Sequence, residues 1–333
     1  MYSSKTKSVI GIVTLIFIIL VLAIQNKPSK TKTAIKVGVI APLTGVVSAY
    51  GEQVKKGVES LGTSTDIQFV FEDDQCDAKT AVSVFKKLTE IDNLHYIIGP
   101  VCGSPQEAIV PLLKNKDVTV IVPAAASKDL YLSSGKNFYN NQYSLENEAA
   151  FLADQIYSRG YKNVAIISYQ NEFSKVEHDN FIANFKGKIV DDISYATGVS
   201  DIQTELTKIK NGKYDAIFVT DISFYFANGL QKLRNLGIKV PIFSPYPVEL
   251  PAVRQLVEGV TYSFPANIDD GQGGVFGLSR QSAELFIRVL LSCGDDHPCV
   301  KNHLNREGFD QNGVMQRSIV LKQIKNGQPT TVQ

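Results

Sequence analysis

The residues best suited to ligand chemistry form a predicted helix start, Gly103-Ser104-Pro105-Gln106-Glu107. Ser104 and Glu107 have the spacing of a capping box, and Pro105 suits the first helical position. The backbone N–H groups of Gly103 and Ser104, helped by the helix dipole, could bind a carboxylate. The competing interpretation is that Ser104 only caps the helix, and these residues alone favour it.

A second group of reactive side chains combines two thiols and two imidazoles within eleven residues: Cys293, His297, Cys299 and His303. The set could bind a metal ion, but it lacks the paired C-x-x-C spacing typical of zinc sites. A disulfide between Cys293 and Cys299, closing a short turn, is favoured in an oxidising compartment. We therefore expect neither a metal site nor a cofactor.

The sequence does not indicate a catalytic site. None of the four histidines has a nucleophile partner at a motif spacing, and no Gly-x-Ser-x-Gly elbow occurs. The acidic run Glu72–Asp77 matches no calcium loop, and Gly271–Gly277 lacks the Lys-Ser/Thr ending of a phosphate loop. We expect a binding function rather than an enzyme; a hydrolase on the same scaffold would be recognised by turnover of a bound compound.

Composition excludes several classes of protein. With 333 residues, 44% of them hydrophobic and 20% charged, the chain is long enough for two globular domains and is neither disordered nor fibrous. Its 34 Lys and Arg nearly balance its 33 Asp and Glu, so no long-range field would attract nucleic acid. Any ligand must therefore be recognised in a local site.

An apolar run from Val9 to Ile24 follows Lys5 and Lys7 near the N-terminus. It predicts a secretion or anchoring signal, which with a Lys-rich linker accounts for residues 1–34. An uncleaved membrane anchor is the favoured interpretation, and cleavage after Ala23 is the alternative. Charge does not settle the orientation, because Lys27, Lys30 and Lys32 on the far side match Lys5 and Lys7. The even number of cysteines points to an oxidising compartment outside the cytoplasm.

Strands and helices alternate along the rest of the chain, which is typical of a doubly wound α/β fold with parallel sheets. The alternation lapses in the polar stretch Tyr139–Asn147 and then restarts, so we expect a second lobe of the same kind. The segment Tyr262–Gly277 breaks the pattern again and is interpreted as the return to the first lobe. Predicted strands span residues 35–43, 67–73, 96–100, 118–124, 163–169, 188–195, 215–220 and 240–244, and predicted helices include 52–61, 78–90, 105–114, 148–159 and 279–292.

Three sequence blocks stand out: Ile35–Glu52, Glu72–Ala81 followed by Ile97–Ser104, and Val120–Ser127. In order and spacing they resemble the type I periplasmic binding proteins, in the leucine/isoleucine/valine-binding branch that serves ABC importers. The resemblance implies two α/β lobes joined by a multi-crossing hinge, with a ligand in the cleft between them. The lobes would comprise residues 35–143 plus about 264–309, and 144–263 plus about 310–333.

The resemblance also implies which first-lobe residues bind the ligand. Gly103 and Ser104 align with a loop that holds an amino acid's carboxylate; Gly103 stands where the family has Ser and keeps only its backbone donor. Ala124 and Ala125 could contribute backbone groups, and Tyr50 aligns with an aromatic residue that lines the cleft. An exposed loop Tyr is the competing interpretation of Tyr50.

Two further positions depart from the family. Ala126 stands where the family carries a ligand-binding Thr, although Ser127 could supply a hydroxyl from one position later. Phe173 stands where a second-lobe Tyr packs over the ligand, with a core Phe as the competing interpretation. Cys76 and Cys102 follow adjacent predicted strands, which brings them to one sheet edge, and the family bridges these two positions.

The residues expected to bind a ligand's ammonium group are the least typical. The family places an acidic residue and a Tyr there, and this chain has Tyr246 and Ile222 instead. Asp221 is the nearby acid that could substitute, or it could be an exposed loop residue. Since a buried ammonium without an anion is costly, an amino-acid ligand is less firmly indicated than the fold.

These features together predict an extracytoplasmic solute-binding protein for an amino acid or a related small carboxylate. By resemblance its partner is an ABC permease in the membrane, and no nucleic acid is involved. The alternative is a ligand-sensing module for a separate membrane receptor, because the chain carries no signalling domain of its own.

Overall fold

The computed structural model describes residues 34–62, 66–196, 203–209, 212–220, 224–246, 251–268 and 273–332. Its backbone contacts separate Met1–Ala34 from a unit formed by Ile35–Gln333. The predicted signal or anchor lies in residues 1–33, outside the described part of the chain. Among the described residues, no helix has both the length and the apolar character needed to cross a membrane.

The first sheet contains five parallel strands in the order β2-β1-β3-β4-β5. Val37 and Val39 on one face of β1, and Ile40 on the other, enter separate hydrophobic clusters. β1 is therefore buried on both faces, as a central parallel strand requires. The elements of this part are β1 (Ile35–Ala41), α1 (Ser48–Glu59), β2 (Ile67–Asp73), α2 (Ala78–Lys86) with a following π-helical turn (Lys87–Ile91), β3 (Tyr96–Ile98), α3 (Gly103–Leu113), β4 (Thr119–Val122), α4 (Asp129–Ser133) and β5 (Phe138–Asn140).

The second sheet contains seven strands in the order β12-β11-β10-β9-β8-β6-β7. Strands β6 to β10 run parallel, whereas β11 is antiparallel to both of its neighbours. Phe181 stacks on Phe218 with ring centroids 4.1 Å apart, which packs the second helix of this part on the sheet. The elements are α5 (Leu145–Ser158), β6 (Asn163–Tyr169), α6 (Glu172–Asn184), β7 (Lys188–Tyr195), α7 (Gln203–Ile209), β8 (Ala216–Val219), α8 (Phe224–Asn235), β9 (Ile242–Ser244), α9 (Pro251–Arg254), β10 (Val260–Pro265), β11 (Ile319–Lys325) and β12 (Gln328–Thr331).

After β10 the chain returns to the first sheet through α10 (Gly274–Cys293) and α11 (His297–Leu304). Helix α10 packs along α1 and against β3, where Tyr96 meets Phe286 edge to face at 5.8 Å between ring centroids. Gly57 permits the close approach of α1, because a Cβ there would lie only 2.4 Å from the carbonyl oxygen of Phe276.

The chain crosses between the two sheets three times, after β5, after β10 and before β11. Arg317, in the third crossing, donates hydrogen bonds to the carbonyl oxygen (3.0 Å) and Oδ1 (2.8 Å) of Asn141 in the first crossing. It also donates to Oε1 of Gln281 on α10 at 2.7 Å. One side chain therefore ties two crossings and the returning helix together.

The structure confirms the predicted α/β fold with parallel sheets and two lobes. The sequence does not predict β5, β10 or the β11–β12 hairpin. Val260–Pro265 contains Thr, Ser and Pro and looks like a loop, yet all six residues are buried because β9 and β11 flank the strand on both sides. Helix α10 begins at Gly274, before the predicted start at residue 279.

Replacing Gly57 with Ala should lower the free energy of unfolding by about 1–3 kcal/mol, because the new methyl group must push α1 away from α10. Denaturant unfolding of the full chain measures the change. Lys55→Ala, on the exposed face of α1, is the matched control and should change stability by less than about 0.5 kcal/mol. Equal effects of the two substitutions would contradict this packing.

Candidate ligand-binding cleft

The three first-lobe segments predicted to bind a ligand lie side by side. Strands β1, β3 and β4 are parallel neighbours, so the segments that follow them meet at one edge of the sheet. Tyr50 lies in the first turn of α1, Gly103 and Ser104 begin α3, and Ala124–Ser127 follow β4. The predicted residues of this lobe are therefore brought to the edge at which open α/β folds bind ligands.

The start of α3 differs from the prediction. Its N-cap is Cys102, no side chain caps the first turn, and Ser104 is an exposed residue inside the helix, so the predicted capping box is wrong. Cys102, which is bridged to Cys76, has the extended backbone of an N-cap residue, so the helix begins at Gly103 and Ser104 lies within its first turn. Because Pro105 has no N–H, the first three residues of α3 offer only the amides of Gly103 and Ser104.

The start of α3 faces the start of α6 in the second lobe. A Cβ added at Gly103 would lie 3.5 Å from the backbone nitrogen of Phe173 and 3.7 Å from its Cβ. Phe173 is half-buried and packs against a small cluster that includes Ala125 from the loop after β4. Two predicted residues of the first lobe and one of the second therefore meet where the lobes approach each other.

The loop after β4 is bound to the first crossing. The carbonyl oxygen of Ala126 accepts hydrogen bonds from the Leu145 amide (3.2 Å) and from Nδ2 of Asn140 (3.3 Å). The Ser127 hydroxyl donates to Oε1 of Glu146 at 2.8 Å. Ala126 and Ser127 thus hold the loop to α5 and the hinge, whereas half-buried Ala124 lies between them and β4.

Tyr246 follows β9 and is buried. Its backbone N–H donates to Oε1 of Glu148 (2.9 Å) and lies 3.1 Å from the Ser263 hydroxyl, while its ring meets Phe264 edge to face at 5.7 Å. The ring also covers the first residue of α10, since a Cβ at Gly274 would lie 2.6 Å from the Tyr246 ring. Asp221, the predicted substitute acid, lies outside the described residues.

Glu148 is an acidic residue beside Tyr246 that the sequence interpretation overlooks. It lies in α5, 98 residues before Tyr246, and it is fully buried. A signal for it is present in the sequence: Leu145, Ala149 and Leu152 form the buried stripe of α5, and Glu148 occupies a position in that stripe. A carboxylate on an apolar stripe indicates either a partner or a shared proton.

Asp73, at the end of β2, organises the loop between β1 and α1. Its Oδ1 accepts from the amides of Leu43 (2.8 Å), Gln75 (3.0 Å) and Thr44 (3.3 Å), and its Oδ2 accepts from the Thr44 hydroxyl (2.5 Å). Although burial acts in the opposite direction, these hydrogen bonds hold the pKa of Asp73 below its usual range. The neighbouring Asp74 is buried, and burial raises its pKa to about 6.

Both predicted disulfides are present. Cys76–Cys102 and Cys293–Cys299 have Cα–Cα distances of 5.6 and 5.7 Å. The ring of His303 lies next to the second bridge, with its nitrogen and the two sulfur atoms within 4.8 Å of one another. The sulfur atoms are bonded to each other, so they are not thiolate ligands in this structure.

Comparison with known proteins places these features in a family. The family model described as periplasmic binding protein matches residues 34–267. The Leu/Ile/Val-binding protein of Citrobacter freundii is 23% identical over 256 residues, which cover 71% of this chain and 68% of that protein. Leu/Ile/Val-binding protein BraC3 of Rhizobium johnstonii is 27% identical over 201 residues, and the match spans only about half of that protein, 53%.

Solved structures share the fold at low sequence identity. A leucine-binding protein from Thermotoga maritima has a TM-score of 0.82 and 19% identity, with coverage of 90% of this chain and 98% of that one. A solute-binding protein of an ABC transporter from R. palustris, solved in complex with benzoate, has a TM-score of 0.80 and 17% identity, with coverage of 90% and 95%.

Replacing Asp73 with Asn should loosen the loop between β1 and α1, because the loop amides lose an anionic acceptor. Hydrogen exchange at Leu43 and Thr44 should become faster. Because its pKa is lowered in the folded chain, the Asp73 carboxylate stabilises the fold at pH values above its ordinary pKa of 3.8. This stabilisation is lost as the pH falls through the folded-state pKa. The variant should lack that acid-dependent loss, whereas Asp92→Asn, at an exposed position, should retain it.

Proposed function

The chain belongs to the periplasmic binding protein family, and we propose that it captures a small polar ligand between its two lobes and delivers it to an ABC importer. The ligand is an amino acid or a related carboxylate. The chain acts by binding rather than catalysis, outside the cytoplasm, and its partner is a membrane permease. Two disulfides are consistent with an oxidising compartment.

The observation that carries the proposal is the approach of α3 to α6. The amides of Gly103 and Ser104 open a helix of eleven residues on one lobe, and Phe173 opens a helix on the other. A carboxylate at the start of α3 would gain the hydrogen bonds of these amides and the favourable end of the helix dipole. Closure of the lobes would remove water from the same hydrogen bonds and strengthen them.

The ligands in the names of the similar proteins agree with this chemistry. Leucine, isoleucine and valine share with benzoate a carboxylate attached to an apolar body, and they differ from it in carrying an ammonium group. In this chain Tyr50, expected to line the cleft, and Phe173, expected to pack over the ligand, are the side chains that would contact the apolar body. The carboxylate is therefore the part of the ligand that we assign to the helix start.

Ligand released by denaturing the purified full chain, identified by mass spectrometry, should be a small carboxylate. Millimolar L-leucine, L-isoleucine or benzoate should raise the melting temperature, since a ligand at 100 times its Kd stabilises by about 2.7 kcal/mol. A ligand that is returned unchanged agrees with binding, and turnover would indicate an enzyme. If none of the carboxylates co-purifies or stabilises the protein, the carboxylate assignment is wrong.

Replacing Gly103 with Leu should weaken ligand binding at least tenfold, because the Cβ alone would already contact Phe173 and the rest of the side chain would cover the two amides. Isothermal titration of the co-purified carboxylate measures the loss. Ser104→Ala is the matched control: it keeps the backbone donor and should bind within about twofold of the parent chain. Unchanged binding by the Leu variant would contradict a carboxylate site at this helix start.

A further inference from the structure

Two fully buried carboxyl groups lie beneath the second-lobe side of the cleft. Glu148 projects from α5, and its Oε1 accepts hydrogen bonds from the Tyr143 hydroxyl (3.0 Å), the Tyr246 amide (2.9 Å) and the Ser263 hydroxyl. Glu177 projects from the neighbouring helix α6, and its carboxyl group interacts with that of Glu148. Neither residue has any exposed surface.

The burial of the two carboxyl groups and their unpartnered oxygens indicate that they hold a proton. Among the described residues, no donor reaches Oε2 of Glu148 or either oxygen of Glu177. Two ionised carboxylates are acceptors only, so these buried oxygens gain a hydrogen bond only if one of the two groups is protonated and donates to the other. Burial raises the pKa of Glu148 to about 7 and raises the pKa of Glu177 well above its usual range. The pair therefore titrates as a unit that keeps a proton under conditions in which an exposed Glu is ionised.

No cation compensates the pair in the described part of the chain. The ionisable groups that act on it most strongly are Tyr143 from the first crossing, Glu146 from the same helix as Glu148, and the two carboxyl groups themselves. Across from them, the segment after β9 presents the amide of Tyr246 and β10 presents the Ser263 hydroxyl. Loss of the proton would leave adjacent buried anions, which is costly.

The donors to Glu148 come from the segments that meet at the hinge. Tyr143 lies in the first crossing, and Ser263 lies in β10, just before the second crossing. Tyr246 covers Gly274, where α10 begins after the second crossing. One carboxyl oxygen therefore fixes three segments whose relative positions define the second-lobe side of the cleft.

We propose that Glu148 and Glu177 share one proton and that this pair positions Tyr143 and Tyr246, so that the cleft holds its binding geometry only while the proton is present. The proposal rests on the proposed function for its link to ligand affinity, but not for the positioning itself. Between the ordinary pKa of 4.5 and the raised folded-state value, the folded chain binds more protons than the unfolded chain. The contribution of the pair to stability is therefore present at low pH and is lost as the pH rises.

The first test compares pH profiles of unfolding for the full chain and for Glu177→Gln. Between about pH 5 and pH 7, the folding equilibrium constant should fall more steeply with rising pH in the parent chain than in the variant. Because of the shared proton, the two slopes should differ by about a factor of ten per pH unit. The side-chain amide introduced by this substitution can donate a hydrogen bond to Glu148 at any pH, because its N–H group does not titrate. Asp154→Asn, on the same helix as Glu148 but exposed, should keep the parent slope.

Infrared spectroscopy provides a second measurement that does not depend on unfolding. A protonated carboxyl band should persist in the parent chain near pH 6, above the ordinary pKa of Glu, and should be lost or weakened in Glu177→Gln. Parallel pH profiles together with an unchanged carboxyl band would overturn the shared proton.

The third measurement tests positioning. The Tyr246 amide should be protected from hydrogen exchange in the parent chain and in Glu148→Gln, which keeps an acceptor oxygen, and should lose at least about tenfold protection in Glu148→Ala.

With L-leucine as the probe ligand, affinity should fall with rising pH in the parent chain and should depend less on pH in Glu177→Gln. If L-leucine does not bind, leucine is excluded as a ligand, benzoate takes its place as the probe, and the exchange data still decide the positioning role. Unchanged protection of Tyr246 in Glu148→Ala would overturn it.

Discussion

The hinge is held by a half-buried guanidinium group whose partners are neutral. Arg317 donates to Asn141 and Gln281, and beside it the Asn140 backbone exchanges two 2.8 Å hydrogen bonds with Gly313 and Met315. These carbonyl and amide oxygens satisfy a guanidinium group that keeps its charge. The same bonds hold two crossings and α10 together at one point between the lobes.

The second-lobe side of the hinge uses the opposite chemistry. Arg317 is a permanent cation bound by neutral acceptors, whereas Glu148 is an acid surrounded by neutral donors and a second acid, Glu177. A cation that cannot lose its proton gives a connection that is independent of pH. A carboxyl pair gives one whose strength varies with pH, because its charge changes within an accessible range. The crossings therefore combine the Arg317 connection, whose strength does not depend on pH, with the Glu148 connection, whose strength does.

The fold was predictable because its evidence is local: alternation of strands and helices, and loops with recognisable composition. β10 was not, since its burial depends on β9 and β11, which are distant in sequence. In the site, Gly103 and Phe173 are assigned from the family resemblance, but the roles of Ala126 and Ser127 in holding the loop to α5 depend on tertiary contacts. Glu148 could have been noticed from its place on an apolar stripe, although not its contact with Tyr246.

The two ends of the proposed ligand site differ in how strongly sequence determines them. The end that would bind the carboxylate consists of backbone amides. These donors are present whatever residue stands at position 103, as long as its side chain does not cover them. The end that would bind an ammonium group needs an anionic side chain to balance the charge. There Tyr246 replaces an acid, and Glu148, the described acid that accepts a hydrogen bond from the Tyr246 amide, is fully buried. A carboxylate without an ammonium group would leave no buried cation to compensate. On these grounds the cleft is better suited to a simple carboxylate than to an α-amino acid unless Asp221 provides the missing anion.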